Sequence, residues 1–175
     1  MGTLNDYLAQ KRVAYQTLKL RAQSPDFSPR PLTAKVTAEG RSGIRRIRIR
    51  DFQVISDAGT DFAGYDLGPT SPELQLGVLG SCVTHITLIQ AAELGVPLES
   101  LEVEVEGTFD LRGGKPGFEH LPVYPSDLRY TIHIVSPASP EEIAALHAEV
   151  ERTCPILNLL RSPQRITATI DHRRP

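Results

Sequence analysis

The sequence predicts an α+β fold built on antiparallel sheet. Three observations carry this expectation. Residues 72–94 form one long, mostly apolar helical run, and nearly everything around them alternates in the manner of strands. The order of strands, helix, strands, helix, strand also lacks the regular βαβ alternation of a parallel sheet. A helix apolar on nearly all sides has to be covered by other protein surface. The run, with Cys82 inside it, is therefore expected to be buried.

Residues 4–22 read as a helix, with Leu4, Leu8, Ala14, Leu18 and Leu20 spaced among polar residues and Asn5 or Asp6 as candidate caps. Pro25, Pro29 and Pro31 end it, because each fixes φ and removes a backbone donor. Residues 1–31 are thus expected to form a helical extension with a proline-rich linker, and residues 32–175 the main domain. Two strand runs, 32–39 and 44–55, flank a turn at Gly40-Arg41-Ser42-Gly43, which is a hairpin signal. Residues 57–68 read as a loop or short third strand, with Phe62 and Tyr65 as buried anchors. Thr70 or Ser71 can cap the central helix, Pro72 suits its first turn, and Glu73 lies where the positive end of the helix dipole favours a carboxylate. Gly95 and Pro97 stop it. In residues 98–111, Leu101, Val103 and Val105 alternate with glutamates, as in a half-buried strand, and residues 127–136 read as its antiparallel partner. A second helix over 141–152 is broken at Cys154-Pro155, an apolar turn follows at 156–160, and 165–170 reads as a closing strand.

A net charge of -2 and a pI near 6.2 give no electrostatic reason to expect a nucleic-acid or anionic-membrane partner. The basic run Arg41, Arg45, Arg46, Arg48, Arg50 is interrupted by Ile44, Ile47 and Ile49 at strand spacing, and reads as a solvated strand face. No basic-then-apolar leader follows Met1, and no stretch approaches the ~18 uninterrupted apolar residues of a membrane span. A cytoplasmic protein is expected. In a reducing compartment a cysteine pair points to catalytic, redox-sensing or metal-binding use more than to a structural disulfide.

A thiol becomes nucleophilic when a cation, a helix N-terminus or hydrogen bonds lower its pKa. Cys82 lies too far inside its helix for strong dipole assistance, so an added cation is required. Arg41 is the candidate, presented by a tight turn, and Glu73 could orient its guanidinium, although it stands nine residues before Cys82. Taken alone, Cys82 also fits a small buried hydrophobe. Cys154 shifts that balance, because a Cys-Pro step at a helix break tends to expose the thiol, and two such cysteines fit a sulfenic acid trapped as a disulfide. Cys82 with His85 and Cys154 with His147 could be drawn as a metal site, but the spacings are not those of paired ligands on loops, so no metal is expected.

Several segments resemble the OsmC/Ohr family of thiol-dependent hydroperoxide reductases. They are Thr70-Ser71-Pro72-Glu73 through Leu79-Gly80-Ser81-Cys82, Gly95-Val96-Pro97-Leu98-Glu99, the strand Leu101 to Gly107, the later Cys154-Pro155-Ile156, and Gly40-Arg41. The resemblance covers about residues 32–171 and implies an OsmC-like fold, in which antiparallel sheets wrap two long central helices in an intertwined homodimer. It implies a peroxidase that reduces organic hydroperoxides, with Cys82 peroxidatic, Cys154 resolving, Arg41 stabilising charge at the thiolate and peroxide, and Glu73 holding Arg41. No bound cofactor is implied, only an external dithiol reductant. The spacing from Glu73 to Cys82 is a residue shorter than in the Ohr branch, so the chain resembles a divergent OsmC-like member more than a strict Ohr protein. A non-catalytic module that uses the same fold to bind a small apolar ligand, or to sense redox state, is the competing expectation.

Overall fold

The computed structural model describes residues 2–174. Helix α1, Leu4–Ala22, opens on a capping box at Thr3. Thr3 Oγ1 accepts the Asp6 N–H at 3.2 Å and Asp6 Oδ2 accepts the Thr3 N–H at 2.7 Å, so the cap falls before Asn5 and Asp6, the two residues expected to provide it. Three strands follow, β1 Lys35–Ala38, β2 Arg45–Ile49 and β3 Phe52–Ser56, in one antiparallel sheet of order β1-β2-β3. The single strand expected over 44–55 is in fact two. Arg50 adopts φ +55, turns the chain, and pairs Ile49 with Phe52 across a tight hairpin.

Helix α2, Ser71–Leu94, is the expected central helix. Glu73 Oε2 accepts both the Thr70 N–H and the Thr70 hydroxyl at 2.7 Å, and Gly95 closes the helix in the left-handed region at φ +78. By length and mean hydropathy α2 could cross a membrane. Here Leu79, Val83, Ile86, Ala91 and Ala92 are buried against the rest of the chain, while Gly77, Val78, Ser81 and His85 stay exposed. The helix is thus covered on one side, not all round.

Strands β4, Ser100–Thr108, and β5, Ser126–Val135, pair antiparallel with Leu101 opposite Ile134, Val103 opposite Ile132 and Val105 opposite Tyr130. These six side chains pack on the core, and Glu102, Glu104 and Glu106 face away with His133, Thr131 and Arg129. The period of two in the sequence is therefore the inside and outside of this ribbon. Helices α3, Pro140–Thr153, and α4, Pro155–Arg161, meet at Cys154, whose N–H still bonds Val150 O at 2.9 Å while Pro155 starts the next helix. The core joins Leu79 and Val83 of α2 to Leu146 and Val150 of α3, Leu157 of α4, Leu98 and, from α1, Leu8.

Three further expectations change. Phe62 and Tyr65 are each 63% exposed instead of anchoring their loop. Cys154 is fully buried, because the kink turns its sulfur inward between α2 and α3. Residues 165–170 form no strand: Ile166 and Ile170 are each 89% exposed, and the alternating segment finds no pairing edge among the described residues.

Candidate active site

The two cysteines come together. Cys154 Sγ lies 3.5 Å from Cys82 Sγ, with Cys82 half-buried at the start of the fourth turn of α2. A sulfur pair at this separation has to close by about 1.5 Å to reach the ~2.05 Å of a disulfide bond. Gly80 lets α2 approach β4 here, since a Cβ at that position would lie 3.1 Å from Val105 Cγ2. Burial pushes the Cys82 thiol above its ordinary pKa, and the sulfur of Cys154 adds to the rise. The Ile156 backbone N–H at the start of α4 acts in the opposite sense, favouring a thiolate.

The structure does not bring Arg41 or Glu73 to this pair within one chain. Arg41 is exposed in the β1–β2 turn, and among the described residues no hydrogen bond or ion pair joins it to Glu73. Glu73 serves its own helix through Thr70. Arg46 of the same hairpin pairs with Glu39, and Arg45 turns toward the loop after β3, where its Nη2 donates to Ser56 Oγ at 2.9 Å and Asp57 O at 2.8 Å. Arg45 faces the start of α2 across a cavity of about 610 Å³ that also touches Thr70, Phe62 and Phe109.

A second set of residues near the sulfurs carries no motif. Glu151 accepts from Tyr130 Oη at 3.1 Å and from Arg161 Nη2 at 2.7 Å, and the Tyr130 hydroxyl lies 3.3 Å from His147 Nε2. With Leu79 and Leu157 these four line a cavity of about 480 Å³. Burial, then the Glu151 carboxylate, pushes the Tyr130 phenol up to about 12. The available sequence signal was weak: a tyrosine on the apolar face of β5, opposite Val105, and a glutamate one helical turn before Cys154.

A sequence model of the OsmC-like protein family matches residues 64–169. The chain belongs to the OsmC-like family. Among curated proteins none matches it by sequence. Solved structures share the OsmC-like fold. The OsmC-like protein of Mycoplasma pneumoniae aligns at TM-score 0.65 and 18% identity, over 77% of this chain and 89% of its own. An organic hydroperoxide resistance protein OsmC of Legionella pneumophila aligns at 0.55 and 17%, over 77% and 92%. An OsmC-like hydroperoxide resistance protein of Jannaschia aligns at 0.51 and 21%, over 81% and 92%. At these identities the likeness is one of fold.

Proposed function

We propose that this OsmC-like chain is a cysteine-based peroxidase that reduces organic hydroperoxides to alcohols. The observation that carries the reading is the 3.5 Å approach of the two cysteine sulfurs. The Cys82 thiolate attacks the distal oxygen of the hydroperoxide, the O–O bond breaks, and the alkoxide takes a proton to leave as the alcohol. Cys82 is left as a sulfenic acid. Cys154 attacks that sulfur, water leaves, and an external dithiol later reduces the disulfide. Apolar side chains around the pair favour alkyl hydroperoxides over hydrogen peroxide.

The reading includes a cytoplasmic homodimer. Val36, Ile49, Phe52 and Val54 leave the three-stranded sheet with apolar surface uncovered in the single chain, and a second copy would cover it. In such a dimer Arg41 would reach a thiol from its exposed turn, lower the cost of the thiolate, and meet Glu73 through the carboxylate oxygen that Thr70 leaves free. No bound cofactor is required. A second reading, a ligand-binding or redox-sensing module, is favoured by the raised Cys82 thiol, which lacks an arginine beside it in the single chain.

Mass spectrometry after a stoichiometric pulse of cumene hydroperoxide separates the two. Loss of two hydrogens with a Cys82–Cys154 crosslink and one equivalent of alcohol is expected of the peroxidase. Two unreacted thiols would overturn it in favour of the binding module.

A further inference from the structure

The net charge of -2 conceals a segregation of charge along the chain. Residues 30–50 hold seven arginines and lysines against one acid, Glu39, a net of +6, so the rest of the chain carries -8. Strand pairing sorts these cations. Ile47 lies opposite Val36 and Val54, and Arg48 opposite Lys35 and Gln53, so the apolar side chains take one face of the β1-β2-β3 sheet and Lys35, Arg46 and Arg48 take the other. Arg46 is neutralised by Glu39, and Arg45 is held by Ser56 and Asp57 O. Arg30, Lys35, Arg41, Arg48 and Arg50 are exposed, and among the described residues none of the five has an ion pair. Like charges directly opposite, as Lys35 and Arg48 are, destabilise a sheet, and a partner anion removes that cost.

The end of the same sheet adds apolar surface to the charge. A cavity of about 600 Å³ there is lined by Arg30, Pro31, Leu32, Ile49 and Arg50. Leu32 is 91% exposed, and the Arg50 guanidinium lies 5.0 Å over the Phe52 ring, which orders it. Two arginines therefore meet at a hollow that also carries an exposed leucine.

We propose that this end of the β1-β2-β3 sheet docks on an anionic phospholipid surface, with Arg30, Lys35, Arg48 and Arg50 on the lipid phosphates and Leu32 in the acyl boundary. The inference is independent of the cysteine chemistry. Guanidinium groups match phosphate oxygens with paired hydrogen bonds. Each Lys or Arg near an anionic leaflet strengthens partitioning roughly fivefold, and a leucine that leaves water adds about five- to tenfold. Neither signal anchors a protein alone, and here the two stand side by side. The apolar face with Val36 and Val54 is the one a second copy would cover, which leaves the cationic face outward. Glu102, Glu104 and Glu106 on the outer face of the β4–β5 ribbon are repelled by the same lipids, so the charge segregation also fixes which side of the protein docks. Single-stranded nucleic acid is the other polyanion to weigh. Proteins that bind it set aromatic side chains among their cations, whereas the cationic face here carries Thr37 and Gln53 and no aromatic residue.

The test is co-sedimentation of the full chain with vesicles of phosphatidylcholine alone and of phosphatidylcholine with about one-third phosphatidylglycerol, at about 0.05 and about 0.5 M NaCl. The parent should bind the anionic vesicles at low salt, release them at high salt, and ignore the neutral ones, and this comparison needs no variant. Replacing Arg30, Arg48 and Arg50 together by Gln should weaken binding on the order of 100-fold, and Leu32→Ser about five- to tenfold. A control with Arg21, Lys115 and Arg174 replaced by Gln carries the same net charge and should change binding less than about threefold. Equal binding to the two vesicle types, no binding to the anionic ones at low salt, or a control that loses as much as the Arg30, Arg48 and Arg50 variant would each overturn the proposal. A single-stranded RNA that displaces the protein from the vesicles, and whose binding Leu32→Ser leaves unchanged, would assign the patch to nucleic acid and overturn it as well.

Discussion

Cys82 Sγ and Cys154 Sγ lie 3.5 Å apart although 72 positions separate them in the chain. One sulfur is mounted on α2 and the other at the joint of α3 and α4, so their separation is set by how those helices pack and not by any local turn. Cys82→Ser is expected to abolish hydroperoxide turnover, because the half-buried sulfur is the one a substrate can reach. Cys154→Ser should permit one oxidation per chain and then stall at the sulfenic acid. Alcohol release at one and at many equivalents of cumene hydroperoxide checks both, and sustained turnover by Cys82→Ser would move the chemistry to another group.

Asp57 should make the fold acid-sensitive. It is fully buried, and its Oδ2 accepts the Tyr65 N–H at 3.0 Å and the Leu67 N–H at 3.2 Å. Burial acts to raise its pKa, but the N–H groups of Ala58, Leu67 and Tyr65 and the charge of Arg45 outweigh it and hold the carboxyl below the usual range. A depressed folded pKa gives stability that is present above the unfolded value, about 3.9, and lost as pH falls through the folded value. Asp57→Asn should thus lose stability to the parent at pH 7 and lose less at pH 3. Urea midpoints at the two pH values decide it, and an equal gap at both would mean that the charge of Asp57 contributes nothing.

The parts of the fold legible in the sequence are those fixed by neighbours in sequence. Helices α1 and α2 and the β4–β5 ribbon appear where periodicity and end signals put them, because Gly95, Ser71-Pro72 and the Glu102-Val103-Glu104 alternation act within a turn or a strand. The division of β2 from β3 was not read from the sequence, although the apolar alternation shifts from odd positions (Ile47, Ile49) to even ones (Phe52, Val54) across Arg50-Asp51, where Arg50 takes its positive φ. Nor was the role of Asp57, whose partners Tyr65 and Leu67 return to it only when the loop closes. In the candidate site the two cysteines were identifiable as residue types, but their contact, and the gathering of Tyr130, Glu151 and Arg161 from three elements, depend on tertiary packing.

The loop around Asp57 should also be intolerant of a single methyl group. A Cβ at Gly64 would lie 1.9 Å from Ala58 O, a backbone atom that cannot rotate aside. Gly64→Ala is expected to cost about 2–4 kcal/mol, in the range of substitutions that force the backbone to move. Gly43→Ala is the control: a Cβ there meets nothing within 4 Å, so its effect should stay within about 0.5 kcal/mol. Thermal unfolding of the two variants gives the comparison, and equal stability would show that the loop can relax around the added carbon.

Helix α1 should behave as part of the core and not as a detachable extension. Leu8 is 6% exposed within the same apolar cluster as Leu98 and Val150. The polar side chains of α1 bind the end of α2 and the segment after it: Arg12 donates to Ala92 O, Lys19 pairs with Glu93 at 2.7 Å, and Asn5 Oδ1 accepts the Leu98 N–H at 2.9 Å. Leu8→Ala removes buried methyl groups and leaves a cavity between α1 and α2, at a cost of about 2–3 kcal/mol. Val13→Ala, on a side chain 68% exposed, should cost less than about 0.5 kcal/mol. Urea unfolding of the two variants measures the difference directly. If Leu8→Ala unfolds at the same midpoint as Val13→Ala, α1 contributes no packing energy, and the apolar surface it covers on α2 must be held by something else.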